Sequence, residues 1–398
     1  MPLLSIEDAH ECIRSVVIPL PVESVRLSTA QGRVLGRTVH SDRDMPPFNR
    51  AMMDGFALRS ADIQNPPTTL RVVDSVMAGQ VPSTRLEPGN AIRIMTGAVV
   101  PSGSDAVQML ENTESSDETS VTILESIVKG RHIATQGSDC LAGAPLLSPG
   151  MVLSSSRLGV CAMVGQEFVD VYRRPKVAIL ATGDELVDVS ESPGAVQIRE
   201  SNRTSVGGLV ERAGGLVVHT AIVPDQEEDT RAAIREALDC ADVLLLSGGI
   251  SKGDRDIVRA CLEKEGVTPE FHGVCIKPGK PLFFGRAGSK LVFGLPGNPV
   301  SSYVTARVFV APMLRQLSGH QRLDENRQMM PLLNAVHKTG NRPWFKAATV
   351  HWGEGVEVHT TGGSGDMQGF ARGEELVLLP ANCPTFSAGT PVEVWLGV

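Results

Sequence analysis

Continuous apolar runs in the middle of the chain predict strands that are buried on both faces. Residues 176–180 read KVAIL and residues 243–246 read VLLL, with no alternation of apolar and polar positions. Such strands are typical of parallel sheets, which carry helices on both faces. In residues 227–241, apolar positions recur at helical spacing and acidic residues crowd the first turn. This order of strand and helix predicts an α/β domain with right-handed crossovers.

The segments on either side of this domain are richer in short strands, glycine and proline, which is typical of β structure. We therefore predict a multidomain α/β plus β protein, with a central parallel-sheet α/β domain, a β-rich second domain and a C-terminal β-barrel-like domain. The predicted domains are residues 1–44 with 141–172 (a linking domain), 45–140 (an inserted β-rich domain), 173–320 (the α/β domain) and 325–398 (the C-terminal β domain).

Length and charge narrow the class of protein. A chain of 398 residues exceeds what one core ordinarily supports, so several domains are expected. The net charge of −8 argues against a general nucleic-acid binder, although local basic pockets can still bind an anionic substrate. No uncharged apolar run approaches the roughly 20 residues that a bilayer requires. Because Glu7, Asp8 and Glu11 also argue against a signal peptide, we predict a cytoplasmic protein without a membrane partner.

The seven cysteines show neither zinc-site nor dithiol spacing. Several lie in apolar patterns, Cys240 among them, and we predict buried, reduced thiols.

Polar and glycine-rich segments follow the predicted strands, at the edge where ligands of open α/β sheets bind. Residues 181–186 read ATGDEL, and the adjacent carboxylates Asp184 and Glu185 suit a metal or phosphate-bound magnesium. Alternatively, Asp184 caps a helix. Residues 247–256 read SGGISKGDRD, where two adjacent glycines allow backbone amides to approach an anion. In the alternative interpretation, this loop is a glycine turn in which Asp254 or Asp256 caps the next helix.

Two further segments bring positive charge to the same sheet. Residues 294–302 read GLPGNPVSS and predict a helix with Asn298 as N-cap and Pro299 at its first position. The free amides of such a start form an oxyanion site, unless it is a plain helix start. Residues 276–286 read IKPGKPLFFGR and supply three cations, unless they form a solvated basic turn. Together these segments predict a site for a phosphorylated or nucleotide substrate with a metal; none is a Walker loop or a dinucleotide fingerprint.

These four segments, in their order and spacing along the chain, resemble the molybdopterin molybdenumtransferase family (MoeA and the gephyrin E domain). Three further segments agree: PPFNRAMMDGFALRSAD (46–62), IRIMTGAVVPSGSDAV (92–107) and GSGDMQGFARGEELVLLP (363–380). The resemblance covers nearly the whole chain. TGDEL and SGG alone would also suit a molybdopterin adenylyltransferase, but MDGFA and the C-terminal segment favour the longer enzyme.

The resemblance implies a fold, a reaction and an assembly. It implies that residues 173–320 form a MoaB/MogA-like domain that binds molybdopterin. It implies a magnesium-dependent enzyme that inserts molybdenum from molybdate into adenylylated molybdopterin, hydrolyses the pyrophosphate link and releases AMP. It further implies an elongated homodimer, with residues 1–44 and 141–172 at the dimer interface. The active cleft would then combine the α/β domain of one chain with the β-rich domain of the other. A molybdopterin adenylyltransferase and apo-molybdoenzymes are its implied protein partners.

The resemblance and the chemistry of the side chains together assign the site residues. The catalytic candidates are Asp54, Thr96, Glu185, Asp225 and Asp256. The metal-binding candidates are Asp184, Glu185, Asp225 and Asp256. The substrate-binding candidates are Gly183, Ser247, Gly248, Gly249, Ser251, Lys277, Lys280, Arg286, Pro296, Gly297, Asn298, Ser301 and Ser364. Those predicted to contact molybdate are Ser247, Lys277, Lys280, Arg286 and Ser301. Thr96 is alternatively a strand-end hydroxyl, and Ser364 a turn serine.

The sequence departs from the family at several of these segments. Asn49 stands where the family has an acid and Ala51 where it has a serine. Residues 134–136 are uncharged (Ala134, Thr135, Gln136) where the family is often arginine-rich, and Gly273 replaces a lysine of some members, while Asp139 is retained. These changes reduce the expected anion contacts. Molybdate and tungstate are nearly isosteric, so the residues do not distinguish them.

Two other functions compete with the insertase. A cofactor carrier or scaffold would keep the fold without turnover, but it would not need so many clustered acids. A nucleotide-hydrolysing relative would share only the α/β domain, which a resemblance over the full length disfavours.

Overall fold

The computed structural model describes residues 3–115, 117–249, 257–323 and 326–397. The chain divides into two compact units. The first comprises Met1–Arg37, Pro149–Ser154 and Phe168–Val398, and the second comprises Thr38–Ser148 and Ser155–Glu167. The predicted linking domain is thus divided between the two units, and the four-domain division stays a prediction.

The helices of the described residues are α1 (Ile6–Val16), α2 (Ser155–Met163), α3 (Asn202–Arg212), α4 (Glu227–Cys240), α5 (Ile257–Lys264), α6 (Pro299–Thr305), α7 (Ala311–Leu317) and α8 (Met367–Phe370). The strands of the N-terminal half are β1 (Val22–Arg26), β2 (Val39–His40), β3 (Arg50–Ala51), β4 (Gly55–Leu58), β5 (Thr68–Val76), β6 (Asn90–Ile94), β7 (Ala106–Met109), β8 (Thr113–Glu114), β9 (Ser120–Ile123), β10 (Ile133–Ala134), β11 (Pro145–Leu147) and β12 (Phe168–Tyr172). The strands of the central segment are β13 (Lys176–Thr182), β14 (Leu186–Val187), β15 (Ile198–Arg199), β16 (Leu216–Val223), β17 (Val243–Ser247), β18 (Thr268–His272), β19 (Phe283–Ala287) and β20 (Lys290–Leu295). The C-terminal strands are β21 (Arg327–Pro331), β22 (Val336–His337), β23 (Trp344–His351), β24 (Gly355–Val358), β25 (Glu375–Leu379), β26 (Thr385–Phe386) and β27 (Pro391–Trp395).

A six-stranded sheet in the order β16-β13-β17-β20-β19-β18 forms the centre of the first unit. Its first four strands are parallel, which confirms the predicted α/β architecture. The apolar runs are buried on both faces as predicted: Ile179 and Leu245 pack into one core, while Leu180 and Leu244 pack into the core on the opposite face. The last two strands are antiparallel to their neighbours. The reason is local, since only a two-residue loop joins β19 to β20 and so short a connection forms a hairpin.

The predicted long helix after β20 is continuous, but it changes pitch. A π-helical stretch over Ala306–Val310 joins α6 to α7. Pro312 lies near the start of α7 and lacks the amide that would bond to the preceding turn, which explains the local change in hydrogen bonding.

The C-terminal strands β21-β27-β25-β23-β24 form an antiparallel sheet. Its two edges meet, because the Leu333 amide donates to the Val356 carbonyl at 2.9 Å and Leu332 forms a bridge with Val356. The sheet therefore curls towards the predicted barrel-like form around its own apolar core.

In the second unit, a six-stranded sheet has the order β7-β4-β6-β5-β9-β8. Strand β4 is buried along its whole length and contributes to apolar clusters on both faces of this sheet. Its antiparallel pairing with β6 sets Gly55 opposite Ile94. The loop before β4 and the loop after β6 therefore lie side by side.

A candidate substrate cleft and a cationic pocket

The carboxyl ends of the parallel strands open onto a cavity of about 430 Å³, which we call the strand-end cleft. The predicted site residues that line it are Gly183, Glu185, Asp225, Ser247, Gly248, Gly249, Pro296, Gly297 and Asn298. They come together because parallel strands end at the same edge of a sheet, as the sequence predicted. Ser251 and Asp256 lie outside the described residues.

Four carboxylates belong to this cleft and its rim: those of Asp184, Glu185 and Asp225, and that of Glu200, which is buried and paired with Arg203. The Asp184 carboxylate accepts a hydrogen bond from the Asp225 amide at 3.0 Å. Asp184 does not cap a helix, because strand β14 follows this turn directly. Partial desolvation raises the pKa of the Asp225 carboxyl above its ordinary value although the residue is exposed, and the charges of Asp184 and Glu185 raise it further. The negative charges therefore repel one another in the absence of a cation.

Mg²⁺ suits these carboxylates in charge and in ligand type, because it prefers oxygen ligands. Within the described part of the chain, however, no three His, Cys, Asp or Glu side chains form a group that could hold a metal ion by themselves. The carboxylates thus fit a cation that also draws ligands from a bound phosphate, the usual situation for magnesium in nucleotide sites.

We expect Asp225→Asn to raise the melting temperature at pH 7 by roughly 1–3 °C, because it removes a repelled carboxylate. The raised pKa of Asp225 means that its ionised form is disfavoured in the folded state. The carboxylate therefore destabilises the folded wild-type protein as the pH rises through the ordinary range of aspartate pKa values. The difference in melting temperature between Asp225→Asn and the wild type should shrink as the pH is lowered. Thermal unfolding between pH 4 and 7 checks this expectation. The control Asp229→Asn removes an acid from the first turn of α4 and should give no gain. An unchanged or lower melting temperature for Asp225→Asn at pH 7 would contradict the expectation.

The glycine loop after β17 packs tightly against β13. Gly248 has a φ of +98°, and a Cβ at this position would collide with the Thr182 carbonyl oxygen. The Gly248 amide donates to the Leu295 carbonyl at 3.3 Å, so it already has a partner inside the protein. The Gly248 amide is therefore not free for an anion, and the approach of other backbone amides of this loop to an anion stays a prediction. The buried hydroxyls of Thr182 and Ser247 have no hydrogen-bond partner in the described structure.

The start of α6 connects the cleft to a second cavity. Asn298 is the N-cap residue as predicted, but its side chain does not cap the helix; its Nδ2 donates to Ser364 Oγ at 2.9 Å. The Val300 amide donates to the Ser364 carbonyl at 3.1 Å. Ser364 therefore lies at the helix start, near the cleft, and one of the predicted free amides is already bonded.

The second cavity has a volume of about 280 Å³ and is called here the cationic pocket. Its polar lining residues are Lys277, Lys280, Ser301, Arg342, Lys346, Thr361 and Ser364. No carboxylate of the described residues lines it. Pro281 lines both the cationic pocket and the strand-end cleft, so the two cavities are neighbours.

Lys277 connects the central sheet to the C-terminal strands at this pocket. Its ammonium donates to Thr339 Oγ1 at 3.0 Å and lies 3.6 Å from the centre of the Trp344 ring. Its backbone bridges to Trp344. Arg342 and Lys346 were not among the site residues predicted from the sequence. Their only signal is two cations in NRPWFK (341–346), and nothing local places that segment beside residue 277.

Arg286 is not part of either cavity, and its assignment is corrected. Because β19 runs antiparallel to β20, Arg286 pairs with Leu291 near the start of β20, at the opposite edge of the sheet from the cleft. Its Nε donates to Glu270 at 2.6 Å, so its charge is compensated there.

In the second unit, Asp54 and Thr96 form a compact pair. One Asp54 carboxylate oxygen accepts from the Thr96 amide and from the Thr96 hydroxyl, both at 2.7 Å. These bonds, the amide bond foremost, lower the pKa of Asp54. Both residues are exposed, Asp54 just before β4 and Thr96 just after β6. An exposed, ionised aspartate is thus held in a defined orientation.

The departures from the family in this unit contact one another. The Gln136 amide donates to Asn49 Oδ1 at 2.8 Å, and Gln136 Nε2 donates to Asp44 at 3.0 Å. Ala51 is buried in the core of the unit. The first of these hydrogen bonds joins two uncharged groups and the second ends on the Asp44 carboxylate, so Gln136 connects its loop to both Asn49 and Asp44.

Two other expectations concern the whole chain. All seven cysteines are free thiols, but only Cys161 and Cys261 are buried. Cys240 is exposed and the other four are partly buried, so the expectation of burial is wrong for most of them. Among the described helices, none has both the length and the apolar character needed to cross a membrane.

Comparison with known proteins agrees with this arrangement. Residues 4–165 match the family described as MoeA N-terminal region (domain I and II), and residues 178–316 match the family described as probable molybdopterin binding domain. The molybdopterin molybdenumtransferase of Nostoc sp. is 34% identical over 414 aligned positions, which cover 99% of this chain and 94% of that protein. Its counterpart in Haemophilus influenzae is 31% identical, with 98% of both chains covered. The crystal structure of the molybdopterin biosynthesis MoeA protein from Pyrococcus horikoshii OT3 superposes with a TM-score of 0.87 over all of both chains, at 27% identity. The chain therefore belongs to the molybdopterin molybdenumtransferase family.

Proposed function

We propose that this protein inserts molybdenum from molybdate into adenylylated molybdopterin, hydrolyses the pyrophosphate link and releases AMP. Membership of the family supports a transferase role in molybdenum cofactor biosynthesis. The observation that carries the reaction is the pair of neighbouring cavities with complementary chemistry. One has carboxylates at its edge, and the other is lined by four cations and two serines.

The strand-end cleft suits the pyrophosphate of the substrate. Asp184, Glu185 and Asp225 would hold Mg²⁺, which supplies positive charge to the non-bridging oxygens when it is bound. Glu185 lines the cleft and is exposed. Its carboxylate can therefore orient the water that hydrolyses the pyrophosphate link and accept a proton from that water as the new phosphorus–oxygen bond forms. The bond to the bridging oxygen then breaks and AMP leaves.

The cationic pocket suits molybdate, a tetrahedral dianion. Lys280 and Arg342 provide charge, and Ser301 and Ser364 provide hydroxyl donors. Lys277 also lines the pocket, although its ammonium is bonded to Thr339. Ser247, also predicted to contact molybdate, lines the strand-end cleft instead.

We propose a homodimer in which the Asp54 and Thr96 pair of one protomer completes the active cleft of its partner. Asp54→Asn should therefore lose AMP release while keeping the fold, as should Glu185→Gln. When the two inactive variants are mixed in equal amounts and exchange subunits, half of the dimers contain one subunit of each variant. One of the two sites in each mixed dimer is intact, so about one quarter of the wild-type activity should return. The measurement is AMP release before and after exchange, with mass spectrometry to verify mixed dimers. Mixed dimers without any activity would contradict the composite site.

A single-turnover assay tests the proposed function as a whole. The protein is mixed with adenylylated molybdopterin, Mg²⁺ and molybdate, and AMP release is followed together with activation of an apo-molybdoenzyme. AMP release that depends on molybdate, with an active apoenzyme, is the expected result. Tight binding without AMP release would support the carrier, and AMP release independent of molybdate would support a nucleotide hydrolase.

A further inference from the structure

Lys346 is a buried lysine at the cationic pocket with no assigned role. It lies on β23 and only 9% of its surface is exposed. The flanking residues Phe345 and Ala347 pack into the main core, so Lys346 and Trp344 share the other face of the strand. Both line the cationic pocket.

The ammonium of Lys346 lacks a compensating anion in the described structure. Its contact there is the Trp344 ring, whose centre lies 4.6 Å from Nζ. Burial lowers the pKa of Lys346, and the charge of Lys277 lowers it further. An ammonium that is removed from water without a counter-charge is costly to the folded state. An anion bound in the pocket would supply the missing charge.

A second buried cation strengthens this argument. Lys338 is 4% exposed, and its Nζ has no hydrogen-bond partner in the described structure. Burial lowers the pKa of Lys277, and the charges of Arg342 and Lys338 lower it further. The region around the pocket therefore holds mutually repelling cations. Trp344 offsets part of this repulsion, since the ammonium groups of Lys277 and Lys346 both lie over its ring.

This inference rests on the proposed function: we propose that Lys346 is a further residue that positions the molybdate oxyanion. It supplies buried positive charge to the bound molybdate, and Trp344 orients its ammonium together with that of Lys277. This role explains why a lysine occupies a buried strand position whose neighbours Phe345 and Ala347 serve the core.

The test is equilibrium binding of sodium molybdate alone to the full-length protein, measured by calorimetry. Lys346→Met should weaken molybdate binding by about 10- to 100-fold, the usual effect of losing a charged hydrogen-bond donor. Lys346→Arg keeps the charge and should restore binding to within a few-fold of the wild type. Lys176→Met is the matched control: Lys176 is exposed at the opposite end of β13, and its removal changes the net charge equally. Its molybdate affinity should not change.

Thermal unfolding separates this role from a purely structural one. Lys346→Met should raise the melting temperature of the ligand-free protein, because it removes an uncompensated buried charge, and it should lose the stabilisation by molybdate. If Lys346 only supports Trp344, the variant should unfold at a lower temperature and bind molybdate normally. Lys346→Gln gives the same comparison if the methionine variant does not fold.

The outcomes distinguish this inference from the proposed function. Normal molybdate binding by folded Lys346→Met or Lys346→Gln would overturn the role of Lys346, while molybdate-dependent AMP release by the wild type would still support the insertase. A wild-type protein that neither binds molybdate nor releases AMP would overturn both.

Discussion

Replacing Glu185 with glutamine is expected to lower the rate of AMP release by about 100-fold or more, the usual contribution of a positioned acid or base. Glutamine keeps the shape of the side chain but cannot accept a proton or provide a charged metal ligand. Glu185 lines the strand-end cleft, and its charge contributes to the raised pKa of Asp225. The measurement is single-turnover AMP release at saturating Mg²⁺ and molybdate, with AMP affinity measured separately.

Glu191→Gln is the matched control for this experiment. Glu191 is exposed, lies six residues further along the chain and does not line the cleft, so the same change of charge should leave the rate within a few-fold of the wild type. If a folded Glu185→Gln variant released AMP at an unchanged rate, Glu185 would not take part in the reaction. The roles of Asp54 and the cationic pocket would then require their own tests.

Replacing Gly248 with alanine is expected to lower the stability of the protein strongly. A φ of +98° is unfavourable for alanine, and the added Cβ would meet the Thr182 carbonyl oxygen and lie 2.9 Å from Thr182 Oγ1. The backbone of β13 cannot move aside without disturbing the sheet. We expect a melting temperature lower by roughly 4–10 °C, since the strain and the clash act together. AMP binding should also weaken, because the loop lines the cleft.

Gly208→Ala is the control for Gly248→Ala. Gly208 lies within α3 and a Cβ there would meet no atom within 4 Å, so alanine should leave stability unchanged or increase it slightly. Differential scanning calorimetry and AMP titration of both variants check the pair. A Gly248→Ala protein as stable as the wild type would show that this loop can relax, contrary to the packing described above.

The strand-end cleft was largely predictable because its residues follow strands that are recognisable from local pattern. KVAIL and DVLLL indicate buried parallel strands, and parallel strands deliver the residues that follow them to one edge. Glu185, Ser247 and Asn298 therefore line one cavity, as expected. Asp54 and Thr96 were assigned to the site only through the resemblance, and their contact was not predicted, since the pairing of β4 with β6 is not evident from either segment alone.

The errors share a physical cause. Arg286 was assigned to the site because it follows Lys277 and Lys280 closely in sequence, but β19 runs in the opposite direction and carries Arg286 away. The two glycines were expected to let backbone amides approach an anion, but the Gly248 amide bonds to Leu295 on a neighbouring strand. Closeness in sequence did not ensure closeness in space, because the reversal at the β19–β20 hairpin moves Arg286 to the other end of the sheet and the Gly248 bond is made to a distant segment.

The sequence by itself determined the alternation of strands and helices in the central segment, the buried strands of its sheet and the set of polar residues at their ends. These depend on hydrophobic periodicity, on glycine and proline, and on helix-start residues, which act within a few positions along the chain. Only the tertiary structure decided that Arg342 and Lys346 join Lys277, more than 60 residues earlier in the chain, around one pocket. That contact forms because the backbone of Lys277 pairs with Trp344, and the pairing of two distant segments depends on the packing of the whole unit.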